Sequence, residues 1–107
     1  MDNREIDKLV AEKVMGWKVI EGKGIMKPIG RSFWRQVDDF YPSINMESAW
    51  QVVEKLDFDV KVTKHKDSSY QCHVFIPDNI QMVFDKTAPL AICKAALHAV
   101  GIEVEKE

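Results

Sequence analysis

Apolar residues return at three- and four-residue steps near the start of the chain. Ile6, Leu9, Val10, Val14 and Met15 form one stripe, and that spacing predicts a helix. Asn3 can cap it and Gly16 can end it, since a left-handed C-terminal turn costs glycine no steric penalty. A second stripe runs through "NMESAWQVVEKL". Met46, Trp50, Val53 and Leu56, helped by Ala49, share one face; Glu47, Gln51, Glu54 and Lys55 take the other, with Ser43 or Asn45 as cap. The third helix is "TAPLAICKAALHAVG", with Thr87 as cap, Pro89 in the first turn and Gly101 as the stop. Leu90, Cys93, Leu97 and Val100 line up, with Ile92, Ala96 and Ala99 beside them. Only Lys94 and His98 are polar, so this helix must be covered over more than half its circumference. Ile102 is placed to fold back on its last turn.

Between the second and third helices the period changes to two. "FDVKVTK" alternates through Phe58, Val60 and Val62, "YQCHVFI" through Tyr70, Cys72, Val74 and Ile76, and "IQMVFD" through Ile80, Met82 and Phe84. "HKDSS" and "PDN" are short polar turns, which predicts an antiparallel meander. These residues make one apolar face. The opposite face then mixes Lys61, Thr63, Gln71, His73, Phe75, Gln81 and Val83, and the first helix is expected to cover part of it.

Residues 17 to 42 fit neither period well. Trp17, Val19 and Ile25 read as strand positions of a short hairpin around "GKG". "PIGRSFW" and "DDFYPS" read as irregular chain pinned by aromatic residues. The whole predicts one domain over residues 1–107 of the α+β class. Its architecture is a three-layer α/β/α sandwich of three helices and a three-stranded, or slightly larger, antiparallel meander.

Three blocks carry a resemblance. "NREIDKLVAEKVMGW", "SAWQVVEKL" and "TAPLAICKAALHAVGIEVE" resemble the phage ABA (alpha-beta-alpha) sandwich domain family of phages and of prophage regions in bacilli and related bacteria. The resemblance covers nearly the whole chain in order and is weakest in the central aromatic segment. It implies the helix–sheet–helix sandwich and a phage or prophage origin. It implies no activity, so no catalytic residue is carried over from it. It does imply an accessory protein that binds a host factor or a small molecule.

Charge changes the picture in one place. The chain of 107 residues carries a net charge of −2, which argues against nucleic acid as a partner. Yet Lys18, Lys23, Lys27, Arg31 and Arg35 fall close together with Glu21 as the lone acid, interleaved with Trp17, Phe33 and Trp34. That composition suits a site that stacks a base and neutralises a phosphate. "GKGIMKPIG" matches neither the dinucleotide fingerprint nor the phosphate-binding loop. The expectation is therefore that the rings turn inward as hydrophobic pins while the cationic heads stay in water.

The other candidate surface is the mixed sheet face. Gln71, His73, Phe75, Gln81 and Val83 would suit a dimer contact or a ligand pocket. No metal site is expected, because His65, His73, His98, Cys72 and Cys93 have no ligand spacing, and no cofactor motif is present. The two cysteines read as small buried hydrophobes of a reducing compartment, and no apolar run is long enough for a bilayer. A cytoplasmic protein of the bacterial host is expected. The reading is a non-enzymatic protein acting by binding, as a homo-oligomer or on a host protein. Alternatives are sequestration of a nucleotide-type signal of host immunity by segment 17–35, and a small hydrolase built on Asp38 and Asp39.

Overall fold

The computed structural model describes residues 2–104. In chain order it contains α1 (Asn3–Lys13), β1 (Lys18–Ile20), β2 (Gly24–Pro28), β3 (Trp34–Gln36), α2 (Met46–Lys55), β4 (Asp59–Lys64), β5 (Tyr70–Ile76), β6 (Asn79–Asp85) and α3 (Ala88–Ala99). The strands form two antiparallel sheets, ordered β1-β2-β3 and β4-β5-β6. Three helices and two meanders make an α+β sandwich, the class expected from the periodicities.

α3 organises the core. Seven consecutive residues, Ala91 to Leu97, are buried, because the helix packs on β5 and β6 along one side and on α1 and α2 along the other. Its alanines let those neighbours approach closely, and its leucine and isoleucine fill the space between. The C-terminal stop works as anticipated. Gly101 sits at φ +89°, and the Ile102 N–H reaches back to the Leu97 carbonyl at 2.8 Å. Lys94 keeps its charge inside by pairing with Asp85 at 2.8 Å.

α1 is capped by Asp2 rather than Asn3, and the Asp2 carboxylate accepts from the Glu5 N–H at 2.8 Å. The helix packs on α3 and on β1 and β2, so it leaves the mixed face of the main sheet uncovered. One buried carboxylate ties it to the connection before α2. Asp7 accepts from the Ser43 N–H at 2.8 Å, while Arg4 reaches Asp7 at 3.4 Å and the Phe40 carbonyl at 3.0 Å. α2 begins at Asn45, whose side chain accepts from the Ser48 N–H at 2.9 Å. Its inward line is Ala49 and Val52, with Val53 and Leu56 half-buried. Trp50 stays 52% exposed, because the helix meets α3 along the small Ala49 side.

The small sheet exceeds expectation by one strand. β3 was unreadable from alternation because "FWRQ" shows none. It forms because β2 offers a free edge, and the pairing is held at its ends by Ile29 N–H to Phe33 O (3.0 Å) and Val37 N–H to Ile25 O (2.9 Å).

The main sheet corrects the expected faces of its last strand. β5 turns into β6 through two residues, Pro77 and Asp78, so that Ile76 faces Asn79. A three-residue turn through Asn79 would have placed Ile80 opposite Ile76. One residue of slip exchanges the two faces of a strand. Val83 and Gln81 therefore lie on the α3 side, opposite Cys72 and Val74, and Ile80, Met82 and Phe84 face away from it.

Candidate functional site

The outward face of the main sheet is built in rows by the strand register. Asp59, Phe75 and Ile80 stand side by side, then Lys61, His73 and Met82, then Thr63, Gln71 and Phe84. Beyond β4, His65 leans across the end of β5, and its ring centroid lies 5.7 Å from that of Phe84. The β6 side of the face is apolar and the β4 side is charged. Phe75 is 39% exposed, Ile80 53%, Met82 47% and Phe84 56%. Four large apolar side chains in neighbouring rows form a contiguous exposed patch, a feature that can mark an interaction site.

Polar groups within this patch are organised around one carboxamide. The Gln71 oxygen meets His65 Nε2 at 2.8 Å, and the Gln71 nitrogen meets His73 Nε2 at 3.3 Å and the Met82 sulfur at 2.7 Å. The His73 ring stacks on Phe75 at 5.8 Å and 14°, and its Nδ1 is enclosed without a hydrogen-bond partner. In the turn beside His65, Asp67 accepts from the Ser69 hydroxyl at 2.7 Å and the Ser69 N–H at 3.0 Å. Those two bonds, with a smaller contribution from the charge of His65, hold the Asp67 carboxyl below its ordinary value.

Of the five residues expected on this surface, Gln71, His73 and Phe75 are there. Gln81 and Val83 are not; they belong to the packed side, for the register reason given above. The residues that replace them are Ile80, Met82 and Phe84. The length of the Pro77–Asp78 turn was the feature that could have identified them.

The basic-aromatic segment is dispersed by its own sheet. Trp17 packs against the buried Phe40 ring at 4.8 Å, and Lys27 Nζ sits 5.6 Å from the Trp17 centroid. Trp34 is half-buried beneath Lys18, whose Nζ lies 4.4 Å from its ring. Two of the five cations thus rest on the chain's own rings. Lys23 lies in the β1–β2 turn and Arg31 in the β2–β3 turn, at opposite ends of β2. Arg35 faces Lys27 across the β2–β3 pair, and Phe33 stands in solvent. Trp17 is a pin into the core, as expected, and the segment gathers no common pocket for all eight residues.

Elsewhere, a cleft of about 630 Å³ opens between the starts of α1, α2 and α3, with Ile44, Met46, Pro89 and Leu90 among its walls. The Cys72 and Cys93 thiols are buried and not joined in a disulfide. Burial pushes Cys72 up to about 11 and Cys93 well above its ordinary value, so neither is a nucleophile. Asp38 and Asp39 are exposed at the surface. Among the described residues no three His, Cys, Asp or Glu side chains come together as metal ligands. No helix there is long and apolar enough to cross a membrane.

Comparison with known proteins adds a lineage. The model of the phage ABA sandwich domain matches residues 8–97. The crystal structure of a phage protein from Bacillus cereus is similar, with a TM-score of 0.81 and 49% sequence identity over 98% of this chain and 93% of that one. Among curated proteins, none is similar to this chain.

Proposed function

The chain belongs to the phage ABA sandwich domain family, and from that premise we propose that it acts by binding rather than by catalysis, as a homodimer closed over the outward face of the main sheet. The observation that carries this reading is the uncovered row of Phe75, Ile80, Met82 and Phe84. A second copy suits it better than an unrelated partner because the apolar rows are self-complementary. A two-fold axis running across the strands lays β6 antiparallel on its counterpart, so that Met82 meets the partner's Met82 and Ile80 meets the partner's Phe84. The same operation sets Asp59 opposite the partner's Thr63 and Lys61 against its own counterpart at the rim, so the fit rests on the apolar rows.

The size of the face sets the strength. Strands of six and seven residues give about 20 Å by about 14 Å of sheet. That is smaller than the roughly 800 Å² per partner of a standard interface, so the dimer should be a weak, readily dissociating one. Free buried thiols fit action in the reducing cytoplasm of the host.

Against sequestration of a nucleotide through residues 17–35 stand the two lysines already seated on tryptophan rings and the spread of the remaining cations. Against a hydrolase at Asp38 and Asp39 stands the exposure of both carboxylates, since active sites are concave and shelter their reacting groups. Sedimentation velocity over a wide concentration range tests the dimer. The mass should double for the native chain and stay monomeric for Phe84→Glu. A native chain that remains monomeric at the highest concentration overturns the proposal.

A further inference from the structure

We infer that the Gln71 bridge is a proton-operated latch on this contact face, an inference that rests on the dimer reading above. A carboxamide has one acceptor end and one donor end. At Gln71 the donor end serves His73 Nε2 and the Met82 sulfur, and the acceptor end serves His65 Nε2. With the amide in this orientation, His65 donates from Nε2, and His73 offers a lone pair from Nε2 and keeps its proton on Nδ1.

Two neutral imidazoles satisfy the bridge, and so does one imidazolium at His65, which gains its proton on Nδ1. Two imidazoliums do not. Protonated His73 would point an N–H at the Gln71 amino group, donor against donor. Turning the amide over moves the same conflict to His65. No orientation of one carboxamide accepts from both rings.

Few charged groups face the bridge. On β4, Lys61 stands directly opposite His73, and Asp59 lies one row away beside Phe75. Asp67, in the turn, is the carboxylate whose field reaches His65. β6 adds only Ile80, Met82 and Phe84 to this face, and α3 lies behind the sheet. Acid therefore breaks the bridge and puts charge beside Phe75, Met82 and Phe84, on a surface that a second copy would dehydrate. Burying an unpaired charge is unfavourable, so two separate copies bind more protons than the dimer, and acid favours separation.

The test is sedimentation of the full chain at about pH 7.5 and about pH 5.5 at fixed ionic strength, the range in which histidine changes charge. The apparent Kd should weaken by about tenfold or more at the lower pH. His73→Phe, which keeps a ring over Phe75, should associate equally at both values. A native dimer equally tight at both, or a His73→Phe dimer that dissociates in acid like the native one, overturns the latch and leaves the dimer standing. A native chain monomeric throughout overturns the dimer instead. In that event the latch is still read directly in the native monomer, from the NMR resonances of the Gln71 amino group. They should move as acid is added, and static resonances reject the inference.

Discussion

The two sheets are built alike, each a three-stranded antiparallel meander with aromatic residues on its exposed side, and they treat those residues in opposite ways. The small sheet covers its two tryptophans from within, though not Phe33: Lys18 lies over Trp34, Lys27 over Trp17, and Trp17 itself rests on Phe40. The main sheet leaves Phe75, Ile80, Met82 and Phe84 without any such cover. Long cationic side chains can shield apolar surface with their stems while keeping their heads in water. Basic residues beside aromatic ones therefore identify a self-sealed strap here, and the sheet with almost no basic residues on its apolar half is the surface left to meet something else.

The largest effect that would break this contrast concerns what holds the strap in place. Asp7→Ala removes the buried acceptor of the Ser43 N–H and the partner of Arg4, and should cost about 3 kcal/mol in chemical denaturation. A loss under about 1 kcal/mol would mean the connection to α2 is held elsewhere. Next come two adjacent residues of β6. Val83→Ala deletes two methyl groups facing α3 and should cost about 2.5 kcal/mol, whereas Phe84→Ala should change the stability of the monomer by less than about 0.5 kcal/mol. Equal costs would show that the two sides of the sheet are not so different.

The packed side also makes a prediction about pH. Burial holds the Cys72 thiol neutral up to about 11 in the folded chain, against an ordinary value of 9.0. Between those values the unfolded chain has already lost the proton and the folded chain has not. Stability should therefore be full below pH 9, and Cys72 alone should remove about 2 kcal/mol as pH rises toward 11, with the still higher Cys93 thiol adding to the fall. Cys72→Ala should make that part of the stability–pH curve shallower, and an unchanged slope would assign it to Cys93 and other groups. The smallest effect belongs to the seal: Lys18→Ala should cost about 0.5 kcal/mol and raise the exposure of Trp34, read from its fluorescence.

Much of the fold was legible because its marks are local. Asn45, Pro89 and Gly101 act where backbone geometry demands them, and the Ile102 fold-back followed from the glycine before it. The outward position of Gln71, His73 and Phe75 could be read from alternation in β5. Trp17 as a pin was legible too, since a ring beside a helix end has few other places to go. β3 was not, because its three residues pair only after β2 has been placed beside them. The open patch was half legible. Its β5 members were named, and its β6 members were assigned to the core.

The residues by themselves determined the order of the helices and of the main-sheet strands, the Asn45 cap and the Gly101 stop, and the two-residue period of the strands, all of which depend on interactions within a few positions of the chain. Only the tertiary structure decided which side of each element is covered. β6 has apolar residues on both sides, so its pattern is satisfied by either orientation, and the two-residue turn at Pro77–Asp78 under α3 selects one. α2 likewise could bury Trp50 or Ala49, and the close approach of α3 admits the smaller. Burial is a property of the neighbour that arrives, and nothing in a strand's or helix's own periodicity specifies that neighbour.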